Sequence, residues 1–204
     1  AVRQDLRAGV VRALASIGPV LPRGTPGGAD GRFGEALTLV YRVLFLLFAE
    51  SLELVPRHHP AYGPAYALGS LCREASGEAG RVDGLWDGLA AVTRLSRAGC
   101  DTADLIVRPF NGRLFARASA PSLEAPAAAR GATPASRRRD RAIAAALTAL
   151  GTRVGPGGRE TISYADLGVE QLGAVYEHVL DLDPEQILMR PPPPCVTPNQ
   201  RLVD

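Results

Sequence analysis

The chain has 204 residues, 46% of them hydrophobic, and a formal net charge of +2 in which all 23 basic residues are arginine. That length and apolar content suffice for one domain or two small ones with a packed core. The lack of lysine excludes a complete P-loop, a Schiff-base enzyme and the common metal-dependent restriction nuclease core, each of which needs one.

Elements in chain order are mostly helical. "RQDLRAGVVRALASIG" predicts a first helix ending at Gly18-Pro19, and "LPRGTPGGADGRFG" a loop. A second helix is expected from near Glu35 to Pro56. Its apolar residues from Leu37 to Leu54 cover nearly the whole circumference and leave a polar strip at Glu35, Thr38 and Arg42, which places it at the centre of a helical assembly. The run "VLFLLFA", Val43 to Ala49, is far shorter than the roughly 18 residues a membrane span needs and reads as core. "HHPAYGPAYALGSLCREA" is a turn leading into a short helix, and "GLWDGLAAVTRLSRAG" puts Leu85, Leu89, Val92 and Leu95 on one face. "DLIVRPFNGRLFA" breaks the helical pattern and predicts either a small hairpin turning at Asn111-Gly112 or an irregular loop packed on the helices.

"SAPSLEAPAAARGATPAS" has linker composition. "RRRDRAIAAALTALG" predicts a helix whose basic first turn opposes the macrodipole. "GPGGRETISYADL" is a turn and an extended segment. The helix after it gathers Val169, Leu172, Val175, Tyr176, Val179 and Leu180 within an arc of about 140°. This is a docking face. Gly173 at its margin is expected to admit a close backbone approach.

Chemistry-bearing motifs are few. His58-His59 has no ligand at metal spacing and reads as a surface turn, and Cys72, Cys100 and Cys195 form no CxxC pair and suit a reducing cytoplasm. No signal-peptide pattern opens the chain. The run Arg137, Arg138, Arg139, Asp140, Arg141 admits two readings, a solvated helix start or a DNA-backbone contact, since the guanidinium fork bonds two phosphate oxygens at once. No aromatic residue interleaves with it, so base stacking is not indicated.

Three stretches together resemble one family. "LVYRVLFLLFAESLELVP" (Leu39 to Pro56) resembles the YRLLFLLYAEDRGLLP segment of large single-chain DNA adenine methylases, the type IIG restriction-modification enzymes and the BREX-type phage-defence methylases. "NGRLF" (Asn111 to Phe115) resembles their NGGLF turn. "ISYADLGVEQLGAVYEHVLDLDP" (Ile162 to Pro184) resembles their DLxVExLGxVYExLL segment. Order and spacing agree over about seven tenths of the chain.

The resemblance implies a parent that transfers a methyl group from S-adenosylmethionine to the exocyclic amine of adenine in DNA. In that family a GSxYTPxxLV segment follows and helps enclose the cofactor. "CVTPNQRLVD" keeps Thr197, Pro198, Leu202 and Val203, which makes Thr197 and Pro198 the candidate cofactor edge, although "PPPPCV" replaces the lead-in and one extra residue precedes Leu-Val. The family's glycine-rich loop and Asn/Asp-Pro-Pro-aromatic motif are absent from the sequence, so this chain is expected to hold no cofactor and to transfer no methyl group alone.

The expectation is therefore a mainly α, bundle-like region with one short β-hairpin or extended loop. Residues 1–33 form an N-terminal helix and loop, 34–183 a helical connector, and 184–204 a Pro-rich linker and the start of a missing methyltransferase domain. Its expected partners are DNA, through the parent, and that C-terminal domain, with no membrane and a cytoplasmic location. The alternative is a stand-alone helical protein-interaction domain without an enzymatic parent.

Overall fold

The computed structural model describes residues 2–22, 27–77, 83–110, 112–125, 133–155, 158–168 and 183–189, together with 170, 173, 174, 177 and 179. Eight helices have described bounds: α1 (Val2–Ile17), α2 (Gly28–Ser51), α3 (Tyr62–Tyr66), α4 (Leu68–Ser76), α5 (Leu85–Ala98), α6 (Pro121–Glu124), α7 (Pro134–Gly151) and α8 (Pro184–Met189). Two antiparallel hairpins join them, β1 (Cys100–Asp101) with β2 (Ile106–Val107) and β3 (Thr152–Gly155) with β4 (Gly158–Thr161). The chain is mainly α, as its sequence predicts.

The most extensive helix pair is α1 on α7. Small residues make it possible: a Cβ on Gly9 would strike the carbonyl oxygen of Ala149, and Ala142, Ala146 and Ala149 are buried on the α7 side. Beside this pair lies α2, whose Leu39, Val40, Val43, Leu44 and Leu46 are all at most 1% exposed, in line with a central helix. One core cluster runs from Leu6 to Ile187 and takes in Ile162, Tyr164, Leu167 and Val179. Described residues from all three stretches, 1–33, 34–183 and 184–189, contribute to this cluster.

Several boundaries differ from the sequence expectation. Helix α2 starts seven residues before Glu35, because burying Phe33 outweighs the helix-propensity cost of Gly31 and Gly34, about 1 kcal/mol each. The first hairpin precedes Asn111-Gly112: its turn is 102–105, where the Thr102 hydroxyl exchanges hydrogen bonds with Leu105. Gly99 sets this up, with φ +71° and with Val107 O only 2.8 Å from where a Cβ would sit. Arg113–Phe115 is a 3-10 turn packed on the helices, not a returning strand. A second hairpin, β3–β4, precedes the "ISYADL" segment.

Two residues of the polar strip of α2, Glu35 and Arg42, face protein, whereas Thr38 is half-buried and donates to Gly34 O of its own helix. Arg42 is fully buried and donates from Nε to Leu114 O at 2.7 Å and from Nη2 to Ala116 O at 2.8 Å, with its guanidinium 5.8 Å from the Phe115 ring centre. Burial pulls its pKa down to about 10, against the opposing charges of Glu124 and Glu35, so it stays protonated at neutral pH. This side chain satisfies Leu114 O and shares Ala116 O with the Ser119 amide, which donates to it at 3.2 Å. Phe45, Phe110 and Phe115 close over the junction with ring centres 4.9 to 5.9 Å apart.

Among the helices without a side-chain cap at their own N-cap residue, three, with N-caps Ala67, Gly84 and Ala120, each receive a buried carboxylate from elsewhere in the fold. Glu50 accepts from Leu68 N and Gly69 N at the start of α4, Asp140 from Trp86 N at 2.9 Å at the start of α5, and Glu35 from Ser122 N at 2.7 Å at the start of α6. A carboxylate there satisfies amides the helix leaves free and complements the dipole. The linker reading of 119–125 is corrected accordingly: Leu123 is 1% exposed and Glu124 pairs with Arg97 at 2.6 Å and 3.2 Å.

Burial raises the pKa of Glu50 above its ordinary value of 4.5, with the Gly69 and Leu68 amides pulling it back. A carboxyl with a raised folded pKa contributes most below the unfolded value and loses that contribution as pH rises through the folded one. Glu50→Gln should therefore flatten the fall in stability from about pH 4.5 toward neutrality, while lowering stability overall by leaving one amide without an acceptor. Urea titrations at several pH values check this. A variant curve parallel to wild type would contradict it. Glu124, lowered by its hydrogen bond to Arg97, acts oppositely and loses its contribution as pH falls through its folded pKa.

Candidate nucleic-acid interface

The arginine run lies on α7, and the start of that helix decides how it is presented. Thr133 is the N-cap, accepting from Ser136 N at 3.0 Å, and Pro134 takes the first helical position. Arg137 is thus the fourth helical residue. The run occupies the second turn, where the macrodipole is weaker than the expectation of a basic first turn supposed.

At 100° per residue Arg137, Arg141 and Arg138 share an arc of about 100°, while Arg139 and Asp140 fall outside it. Arg137, Arg138 and Arg141 are exposed and make no hydrogen bond or ion pair among the described residues. Asp140 is 5% exposed and holds the start of α5, and Arg139, half-buried, lies over Trp86 at 5.5 Å from the ring centre. The five residues therefore divide into three outward cations and an inward pair that locks α7 against α5. With Asp140 turned toward Trp86 N, none of the outward guanidiniums makes an ion pair among the described residues. Trp86 itself is 6% exposed, so it offers no free face for a base.

No family model, curated protein or solved structure matches the chain.

The remaining predicted positions are distributed as follows. Val179 is fully buried in the main core, with Glu170 and Glu177 exposed on the other side of that helical stretch. Val169, Leu172, Val175, Tyr176 and Leu180 lie outside the described residues, as do Thr197 and Pro198. No described atom lies within 4 Å of where a Gly173 Cβ would be, so the close approach expected there is not found among the described residues. His58 is exposed in a turn, and His59 Nδ1 accepts from Ala61 N at 3.2 Å. Cys72 is buried against Gly151, which pushes its thiol pKa up to about 12 and leaves it unreactive. Among the described residues no cluster of His, Cys, Asp or Glu could hold a metal, and no helix is long and apolar enough to cross a membrane.

Sequence reasoning missed the junction between two of the resembling stretches. Arg42, in "YRVLFLLFAE", bonds directly to the backbone of the "NGRLF" turn and the residue after it. The signal was an arginine inside an otherwise apolar helix.

Proposed function

We infer that this helical unit is the non-catalytic, DNA-contacting part of an S-adenosylmethionine-dependent DNA adenine methyltransferase of restriction or phage-defence type. It contacts the sugar-phosphate backbone through the outward arginines of α7. The observation that carries the DNA contact is the set Arg137, Arg138 and Arg141: three exposed guanidiniums on one helix face, without a carboxylate partner among the described residues. The methylase assignment rests on the three resembling stretches. Its support in the fold is that Arg42 joins the first to the second, while Ile162, Tyr164 and Leu167 of the third enter the same core.

Such a contact reads charge and not sequence. Two unrelated duplexes of equal length should bind the chain with the same modest affinity at low salt, and both should be released as salt rises. A titration by fluorescence anisotropy tests this. Absence of binding at low salt would return the arginines to a solvated helix face. A marked preference for one duplex would require base contacts that this face does not offer.

A further inference from the structure

Beside the outward arginine face, the first turns of α7 border a cleft of about 340 Å³. Its walls include Val20 and Pro22 after α1, Trp86 at the start of α5, Ser122 at the start of α6, and Arg138 and Arg139. Among the described residues, two guanidiniums and no carboxylate line it. The carboxylates of Asp140 and Glu35, which reach the two neighbouring helix starts, are bonded there to Trp86 N and Ser122 N. Arg139 is held in place by the Trp86 ring, and Arg138 has no partner among the described residues.

We propose that this cleft binds a phosphate monoester carried on an apolar body of mononucleotide size. A phosphomonoester bears about −1.5 to −2 charges near neutral pH, which matches two guanidiniums better than a single carboxylate does, and its oxygens suit their forks. The Ser122 hydroxyl adds a donor, and the proline and valine walls take the apolar part. The volume falls at the lower end of the range for small-ligand sites, about 300–1,000 Å³, enough for one nucleoside-sized body. This site shares Arg138 with the backbone contact proposed above and is distinguished from it by Arg139, which that contact does not use, and by its independence of Arg137 and Arg141.

Trp86 is the single tryptophan of the chain, so its fluorescence reports on the cleft directly. Titration of the full chain with adenosine 5′-monophosphate should give a saturable change with Kd below about 1 mM. Adenosine and inorganic phosphate should each bind at least tenfold more weakly. Arg138→Gln and Arg139→Gln should each weaken the nucleotide at least tenfold, whereas Arg137→Gln and Arg141→Gln should leave it unchanged. Arg138 is exposed, so its replacement decides the matter even if Arg139→Gln fails to fold. No saturable signal at about ten times that concentration, unaltered affinity in Arg138→Gln, or inorganic phosphate binding as tightly as the nucleotide would overturn the proposal. DNA binding that survives in Arg139→Gln while nucleotide binding is lost would separate the two sites.

Discussion

Arg42→Ala should lower the stability of the fold by about 3–5 kcal/mol, the range for removing one member of a buried, bonded charge system. The side chain is fully buried, and its loss strips the Nε donor from Leu114 O and the stronger of two donors from Ala116 O, which keeps only Ser119 N at 3.2 Å. Hydrogen bonds from a charged donor contribute about 1.5–3 kcal/mol each, so two of them reach this range before any cavity is counted. The negative charges of Glu35 and Glu124 would also lose a nearby cation. Arg42→Lys should recover little, because a single ammonium cannot place donors as the planar fork does. A urea titration with circular dichroism checks both variants. A loss under about 1 kcal/mol for the alanine variant would mean that the 112–124 segment is not held by this residue.

Leu44→Ala should cost about 2–5 kcal/mol, the range for a leucine removed from a core that cannot collapse around the gap. Leu44 is 1% exposed on α2, packed within the main cluster, and Leu47 one turn on is 8% exposed. The first should therefore cost at least as much as the second. Chemical denaturation of the two single variants gives the comparison. A loss below about 1 kcal/mol at both positions would contradict the central placement of α2.

How far the sequence discloses this fold varies with the range of the interaction responsible. The apolar circumference of Leu37 to Ala49 marks α2 as central because burial follows local periodicity, whereas Leu52 and Leu54, expected on the same helix, lie past its end at Ser51 and are 48% and 58% exposed. The same pattern does not disclose what the strip at Glu35 and Arg42 is for, since Arg42 meets Leu114 and Ala116 and Glu35 meets Ser122 across 72 to 87 residues. The cap of α5 is equally hidden: Gly84 and Leu85 show no capping residue, and the carboxylate arrives from Asp140, 54 positions on. Tertiary capping also explains why 121–124, with linker composition, forms a helical turn. In the candidate interface, the helix and its arginines are plain in "RRRDR", and 100° spacing alone divides 137, 138 and 141 from 139 and 140. Which set faces outward depends on Trp86, whose amide claims Asp140 and whose ring claims Arg139.

The claim that α7 grips DNA phosphates is tested most directly by the salt dependence of duplex binding in the triple variant Arg137→Gln, Arg138→Gln, Arg141→Gln. Each phosphate neutralised on duplex DNA contributes about −0.9 to the slope of log K against log salt, so three contacts give a wild-type slope of about −2.7. The variant should bring that slope close to zero and reduce low-salt affinity for every duplex alike, while its circular dichroism and urea midpoint stay at the wild-type values because all three side chains are exposed. A variant that keeps both the wild-type slope and the wild-type affinity would contradict the assignment.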